Sequence, residues 1–183
     1  MHDKIPNNVA VLCMCLSGIG DALTFTPFLA ALHAARPDLC IDVLVMFKSA
    51  AALFASNPAV RAVLHVDFLR LGTVASLREM LAVRQRHYAA VVAALPANRW
   101  EYNLIQVLAG GRRIGHRYLH CDRRNFNFLK QDWLFEDDDL HVVEKNLQLL
   151  PFLGVAVPPQ PAALSMTITD ADARAATAWL EAQ

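Results

Sequence analysis

One short segment carries the residues whose types and spacing are best suited to chemistry. Gly18-Ile19-Gly20 is followed at once by Asp21, directly after an apolar run that predicts a buried strand. A strand that ends in glycines, with a carboxylate where the next helix opens, is how α/β proteins bring their backbone close to a ligand. Asp21 is therefore the leading candidate for a reactive group. Taken alone, its position suits a helix N-cap or first-turn acid equally well, since acids favour the positive end of the helix dipole.

The glycines do not complete a dinucleotide-binding fingerprint. Gly18-Ile19-Gly20 begins like G-x-G-x-x-G, but Leu23 stands where the third glycine would pack the helix against the strand. A tight strand-to-helix turn without any ligand is the alternative that these residues leave open.

Strand and helix patterns alternate along the chain around this segment. The predicted strands are residues 9–16, 39–47, 61–66, 89–95 and 113–115, and the predicted helices are the one after the glycines, then 49–56, 76–87, 101–109 and one from 140. Pro27 either kinks a helix that begins at Asp21 or occupies the first position of one that begins at Thr26. Short connections predict right-handed crossovers and a doubly wound parallel α/β sheet. Residues 116–139 show no clear period and are predicted as a loop with local turns.

The length and composition fit a single globular domain. A chain of 183 residues, 55% apolar and 19% charged, lies within the usual range of ~100–200 residues per domain. Three prolines near the end predict a linker, and Thr169 resembles the N-cap of a last helix through Leu180. The domain is therefore predicted to cover residues 1–155, with a linker over 156–183. The linker prolines are Pro158, Pro159 and Pro161.

Charge and cysteine usage exclude several classes of protein. Seventeen basic residues balance seventeen acidic ones, so the overall charge does not indicate a nucleic-acid partner. No apolar stretch reaches the ~20 residues that a membrane span needs, and the N-terminus does not read as a signal peptide. Cys13 and Cys15 fall on one face of a strand, where core filling is the usual role, so a reduced, cytoplasmic protein fits best. His116, His120 and Cys121 repeat no metal-ligand spacing, and we predict no metal site.

Two further groups of polar residues are candidates for binding. Five arginines fall within thirteen residues, a density that suits an anionic ligand because guanidinium pairs bidentately with carboxylate and phosphate. A solvated loop is the alternative. Arg99 follows the fourth strand, at the edge of the sheet that lines the ligand crevice in such folds. The polar face of the helix near residue 140 is by default a solvated surface. The arginines are Arg112, Arg113, Arg117, Arg123 and Arg124, and the polar helix face is His141, Glu144, Lys145 and Gln148.

These motifs together resemble the start of the ADP-heptose:lipopolysaccharide heptosyltransferases, glycosyltransferase family 9. The resemblance covers nearly all of the chain and the family's first domain only. The residues that carry it are Ser17 to Leu23, Thr26-Pro27, Leu32, Arg36-Pro37-Asp38, 41–47, Phe54, Asn57-Pro58, Val60, Tyr88, Arg113-Ile114-Gly115, His141 to Asn146 and Leu153-Gly154.

The resemblance implies the N-terminal half of a GT-B glycosyltransferase, in which two Rossmann-like domains face each other across a cleft. Residues 1–155 would then bind the acceptor, and 156–183 would lead to a C-terminal nucleotide-sugar domain that this sequence lacks. Asp21 matches the family's loop aspartate and would act as general base on an acceptor hydroxyl in an inverting transfer from ADP-heptose. On this interpretation the substrate-binding residues are Ser17, Gly18, Gly20, Thr24, Arg99, Arg113, Arg117, His141 and Lys145.

The same resemblance implies the partners. The acceptor would be an anionic lipid-linked oligosaccharide of the lipopolysaccharide inner core at the cytoplasmic face of the inner membrane, with peripheral membrane contact and no cofactor beyond the donor. We expect the 183-residue chain alone to be inactive or very weak, and a separately encoded second half would complete it. Two alternatives stay open: a non-catalytic glycan-binding module, or a nucleotide-binding Rossmann domain of another enzyme.

Overall fold

Six parallel strands form the central sheet of the described part of the chain. The computed structural model describes residues 5–160, 163–168 and 170–181. The strands run in the order β3-β2-β1-β4-β5-β6, and every pair of neighbours is parallel. The doubly wound parallel sheet predicted from the sequence is therefore confirmed. The strands are β1 (Ala10–Cys15), β2 (Cys40–Val45), β3 (Ala62–His65), β4 (Ala90–Ala93), β5 (Arg112–Arg117) and β6 (Asp132–Phe135).

Helices cover both faces of this sheet. Helices α1, α2 and α5 contribute to the apolar core on one face, whereas α3 and α4 contribute to the core on the other. The helices are α1 (Ile19–Ala35), α2 (Lys48–Ala55), α3 (Thr73–Arg84), α4 (Trp100–Ala109), α5 (Val142–Leu147) and α6 (Asp170–Glu181), with single 3₁₀ turns at 119–121, 127–129 and 150–153. Thr169 and Pro161, which the sequence analysis placed in the cap and the linker, lie outside the described residues.

Strand β1 is apolar along its whole length because helices cover both faces of the sheet. Side chains of a strand alternate between faces, and both faces here are covered. Cys13 and Cys15 point into the core under α1, and Leu12 and Met14 into the core under α3 and α4. Burial raises the pKa of the Cys15 thiol to about 12. Both cysteines thus fill the core, as predicted.

Helix α1 is continuous through Pro27, which settles the alternative that the sequence left open. A proline inside a helix deprives the carbonyl four residues earlier of its partner, and here that carbonyl belongs to Leu23. The Thr26 hydroxyl replaces the missing donor, with Oγ1 at 2.8 Å from the Leu23 oxygen. The same Oγ1 accepts a hydrogen bond of 3.0 Å from the Ser165 amide, so segment 163–168 lies against α1.

The prediction of a loop over residues 116–139 is wrong in two places. Strand β5 continues to Arg117, and a sixth strand, β6, pairs with it from Asp132 opposite Ile114 to Phe135 opposite Arg117. Strand β6 is only four residues long and begins with a charged residue, so it offers too few positions for a period to show. Asp132 is nevertheless buried, because it forms an ion pair with Arg112 on the neighbouring strand.

A buried carboxylate ties together the amino-terminal ends of β2, β3 and β4. Asp42 of β2 is fully buried and accepts hydrogen bonds from Arg61 (Nε and Nη2, both 2.8 Å), the Tyr88 hydroxyl (2.7 Å) and Arg86 (3.3 Å). Burial by itself raises the pKa of Asp42, but these donors and the two positive charges outweigh it and hold the pKa below its usual range. The cluster lies at the opposite edge of the sheet from the glycine segment.

Candidate functional site

The candidate site lies where the strand order reverses. Strands β1 and β4 are neighbours in the sheet, but α1 follows β1 onto one face and α4 follows β4 onto the other. This divergence opens a crevice at the carboxyl ends of the two strands, which is where ligands bind in open α/β sheets. Residues 17–21 and 94–99 form its two sides.

Gly18 to Asp21 form the start of α1. Gly18 is the N-cap residue, and its carbonyl accepts the Ala22 amide at 3.0 Å without any side-chain cap. Asp21 lies in the first turn and is half-buried. No hydrogen bond or ion pair joins its carboxylate to any residue that the structure describes. The carboxylate is therefore not used to cap the helix, and it remains available to a ligand.

Neither glycine is required by the fold around it. Gly18 has φ −68° and ψ 177°, a conformation open to any residue, and neither Gly18 nor Gly20 has a positive φ. A Cβ added at either position would meet nothing within 4 Å. The space in front of the backbone is therefore empty in this chain, and it can receive a ligand or another domain.

Tyr102 links the two sides of the crevice. Its hydroxyl donates to the Leu16 carbonyl oxygen across the crevice, at 3.3 Å. Burial raises the pKa of Tyr102, and the charge of Arg99 opposes that rise, while the charges of Glu101 and Asp21 add to it. The charges of Asp21 and Arg99, two predicted site residues, thus both act on this hydroxyl. Sequence reasoning missed Tyr102, although its place in the first turn after the β4 loop was a usable signal.

Two side chains fix the loop that carries Arg99. The Leu95 amide donates to Asn146 Oδ1 at 3.0 Å, and the Ala97 amide donates to the Tyr118 hydroxyl at 3.1 Å. All four residues are buried. The backbone before Arg99 is therefore held from α5 on one side and from the end of β5 on the other.

A polar pocket of about 410 Å³ lies beside the crevice, at the start of α4. It is defined by Asn98, Arg99, Trp100, Glu101, His120 and Arg124. Arg99 is 62% exposed and lies 3.8 Å from Glu101, a loose ion pair. Arg124 is exposed and makes no hydrogen bond or ion pair with the described residues. The pocket thus offers two guanidinium groups to an anion.

Other arginines of the predicted cluster hold the loop together instead. Arg113 lies near the amino end of β5, and its Nε donates to the Leu129 carbonyl at 2.6 Å. Arg117 pairs with Asp122, with Nε 2.7 Å from Oδ1, and its guanidinium lies 4.4 Å above the Trp133 ring. The structure therefore brings Arg99 and Arg124 together at the pocket, but does not bring Arg113 there.

The remaining predicted residues occupy different environments. Ser17 is half-buried beside the crevice, and the Thr24 hydroxyl donates to the Asp21 carbonyl at 2.8 Å. His141 is the N-cap of α5: its Nδ1 accepts the Val143 amide at 3.3 Å, and Glu144 accepts the His141 amide at 3.0 Å. The imidazole is exposed at the same edge of the sheet as the crevice.

Lys145 does not lie on a solvated helix face, so the default interpretation of that face is wrong for this residue. It is buried, and its Nζ lies 3.2 Å from Glu136 Oε1 and 3.9 Å from Asp138 Oδ1. Glu136, which follows β6, is the nearer partner of the lysine, and no spacing in the sequence indicated this contact.

A buried lysine anchors the loop between β5 and β6. Lys130 Nζ donates to Asn127 Oδ1 at 2.9 Å and to Asn103 Oδ1, while Asn103 Nδ2 donates to the Asn125 carbonyl at 2.6 Å. Burial lowers the pKa of Lys130 to about 7. This network fixes to α4 the loop that carries Arg124, and no spacing in the sequence indicated it.

We expect the Lys130 network to make stability depend on pH in the alkaline range. The folded protein releases the Lys130 proton at about pH 7, whereas an unfolded lysine keeps it to pH ~10.4. Because the unfolded state binds more protons between these values, stability rises as the pH increases. Urea unfolding of Lys130→Met should lack this rise between pH 7 and 10, and Lys48→Met, at an exposed lysine, should retain it. An equal rise in Lys130→Met would contradict the assignment.

The described residues include neither a membrane-spanning helix nor a cluster of metal ligands. No helix there is both long and apolar enough to cross a bilayer. No group of three or more His, Cys, Asp or Glu side chains is placed to hold a metal ion.

The fold is similar to that of solved structures of glycosyltransferases. A family 9 glycosyl transferase from Veillonella parvula aligns with TM-score 0.78 and 16% identity, over 100% of this chain and 51% of that one. The E. coli heptosyltransferase WaaC with ADP aligns with TM-score 0.70 and 22% identity, over 82% of this chain and 49% of that one. The same enzyme with ADP-2-deoxy-2-fluoro heptose gives TM-score 0.69 and 21% identity, over 82% and 50%. The sequence matches no family model and no curated protein.

The chain therefore has the fold of one Rossmann-like half of a GT-B glycosyltransferase, and it spans about half the length of these structures. The predicted Rossmann-like fold, which the family 9 structures share, is confirmed. The roles of Asp21 and of the substrate-binding residues, and the division at residue 155, stay predictions.

Proposed function

We propose that this chain is the acceptor-binding half of a heptosyltransferase-like enzyme. The enzyme would transfer heptose from ADP-heptose to an anionic, lipid-linked inner-core oligosaccharide at the cytoplasmic face of the membrane, and this chain would bind that oligosaccharide. The observation that carries the proposal is the Asp21 carboxylate, which has no described hydrogen-bond or ion-pair partner and belongs to the first turn of α1, directly after β1 at the point where β1 and β4 diverge. The solved structures that share the fold include a heptosyltransferase with ADP.

The chemistry assigned to Asp21 is general base catalysis. The carboxylate takes the proton of an acceptor hydroxyl, whose oxygen attacks the anomeric carbon of the donor from the face opposite the nucleotide. The bond from the anomeric carbon to the diphosphate oxygen breaks, and its electron pair leaves with ADP, so the configuration inverts. Positioning the hydroxyl against the carboxylate supplies most of what this chain contributes.

The polar pocket is assigned to the anionic groups of the acceptor. Arg99 and Arg124 line it together with His120, and guanidinium groups form bidentate hydrogen bonds with carboxylate and phosphate. Tyr102 bridges the two sides of the crevice, and the charges of Arg99 and Asp21 both act on its hydroxyl, which supports one acceptor reaching both residues. The nucleotide sugar is assigned to a second Rossmann-like domain, so we expect this chain alone to transfer no measurable sugar.

Calorimetric titration of the chain tests the proposal directly. We expect a phosphorylated glycan containing Kdo to bind without donor, and Arg124→Ala to weaken that binding about tenfold, since a hydrogen bond to a charged group contributes about 1.5–3 kcal/mol. Arg78→Ala, at an exposed arginine of α3, is the matched control and should change nothing. Binding of ADP or NAD at the glycines, without glycan binding, would instead indicate a nucleotide-binding Rossmann module of another enzyme.

The empty space at the glycines gives a second prediction, with a control inside the same chain. Gly72 is the N-cap of α3, with φ −71° and ψ 166°, and a Cβ there also meets nothing within 4 Å. We expect Gly18→Ala and Gly20→Ala to fold normally, with Gly20→Ala more stable by about 0.5–1 kcal/mol because alanine favours a helix over glycine. Both should weaken glycan binding or transfer, and Gly72→Ala should not. Equal affinities in all three variants would exclude a ligand at the glycines.

A further inference from the structure

An apolar groove lies between α3 and α4, next to the polar pocket. It has a volume of about 330 Å³, and its walls include Leu71, Leu77, Met80, Trp100, Leu104 and Ile105. The α4 residues that face it fall on one stripe of the helix, as positions that differ by four residues do. Leu77 and Leu104 stay 44% and 37% exposed along the groove, so a large apolar surface is open to solvent.

The groove and the pocket share part of their walls. Trp100 and Glu101, the first two residues of α4, line both of them. One side of this pair is therefore apolar, and the other carries Arg99 and Arg124. A tryptophan at such a boundary suits a ligand with one apolar and one polar end, because its ring is apolar while its N–H can meet a polar group.

We propose that the apolar groove binds one acyl chain of an amphiphile whose anionic head occupies the polar pocket. The inference rests on the proposed function, and it names the lipid part of the acceptor as a ligand of the same site. The size of the groove fits one chain: a methylene takes up about as much space as a water molecule, ~30 Å³, so the groove holds roughly ten methylenes. The groove shares part of its wall with a pocket that carries two arginines. This arrangement favours an anionic lipid as the occupant of the groove over a second copy of the chain.

A series of n-alkyl phosphates tests this arrangement. Butyl, hexyl, octyl, decyl and dodecyl phosphate are titrated into the chain below their micelle concentrations. We expect the dissociation constant to fall about two- to fourfold for each added methylene and to level off near ten carbons. Leu104→Asp should abolish this dependence on length, so that the five phosphates bind with similar affinity.

Two further variants control for misfolding of Leu104→Asp and for the effect of its added charge. Ser76→Phe fills the groove from α3 without adding a charge, so it keeps the test readable if Leu104→Asp folds poorly. Leu81→Asp places the same charge on α3 at a leucine that is 49% exposed and outside the groove, and it should keep the wild-type dependence. Arg124→Ala should weaken all five phosphates by the same factor.

These measurements distinguish failure of the groove proposal from failure of the proposed acceptor-binding function. If all the phosphates bind equally and Arg124→Ala weakens them, the groove inference fails and the anion pocket stands. If neither the phosphates nor the Kdo glycan bind, the proposed function fails. A dependence on length that survives both groove variants overturns the inference, as does ligand-induced dimerisation in light scattering. Binding to phosphatidylglycerol vesicles is measured as well. If Leu81→Asp weakens that binding as much as Leu104→Asp does, the chain binds a membrane surface and not a single acyl chain, and the inference fails.

Discussion

Replacement of Asp21 by asparagine is expected to lower the rate of sugar transfer by about 10²–10⁴-fold, the usual contribution of a positioned general base. The measurement uses a two-domain enzyme in which this chain is fused to, or mixed with, a donor-binding half. Asparagine keeps the shape of the side chain and removes the group that accepts the proton. Because Asp21 has no described hydrogen-bond or ion-pair partner in the folded chain, the variant should fold as the parent does.

The effect should appear in kcat and not in acceptor binding. Loss of a negative charge beside an anionic acceptor leaves its affinity unchanged or raises it, so KM should not increase. Asp67→Asn is a suitable control, since Asp67 follows β3 at the same edge of the sheet and pairs only loosely with Arg70, at 3.6 Å. Full turnover by Asp21→Asn would remove the base assignment.

The Asp42→Asn substitution is expected to give the largest loss of stability, about 2–3 kcal/mol. Breaking a buried ion pair costs about 3–5 kcal/mol, and we expect a loss at or below the bottom of that range because Arg61 and Arg86 are 46% and 45% exposed and can regain water. Urea unfolding followed by circular dichroism measures the loss. Asp67→Asn again serves as the control, and an unchanged unfolding midpoint in Asp42→Asn would contradict the role given to the cluster.

The same carboxylate should make the chain sensitive to acid. The folded pKa of Asp42 is held below its usual range, and an unfolded aspartate has a pKa of ~3.9. Its contribution to stability is therefore complete above that value and disappears as the pH falls toward the folded pKa. The unfolding free energy of the wild type should decrease more steeply between pH 5 and 3 than that of Asp42→Asn.

The sequence predicted most of the fold because the central strands β1, β2 and β4 are buried on both faces. Uninterrupted apolar runs such as β1, separated by helical periods and glycines, identify a parallel sheet with little ambiguity. Strand β6 was missed, since its burial depends on an ion pair between Asp132 and Arg112, a contact that arises only when the sheet has formed. The continuity of α1 through Pro27 was also undecidable from the sequence, because it depends on the rotamer of Thr26.

The candidate site was predicted less completely than the fold. Local sequence located Asp21 and the glycines, whose position follows from the end of β1. It could not tell which arginines have partners in the folded loop: Asp122 and Trp133 hold Arg117, whereas Arg124 has no hydrogen bond or ion pair with the described residues. Tyr102 and Lys130 were missed for the same reason, since their roles come from contacts with Leu16, Asn103 and Asn127.

The two outermost strands of the sheet bear on the tendency of the chain to aggregate. Strands β3 and β6 are each four residues long, and β6 opens with the buried Asp132, which is paired to Arg112. Short edge strands with an inward-pointing charged residue resist pairing with the backbone of another molecule, which is the first step of aggregation through exposed strands. We therefore expect β6 to limit aggregation at high protein concentration. Asp132 has both effects: its charge made the strand hard to recognise in the sequence, and the same charge disfavours pairing with another chain.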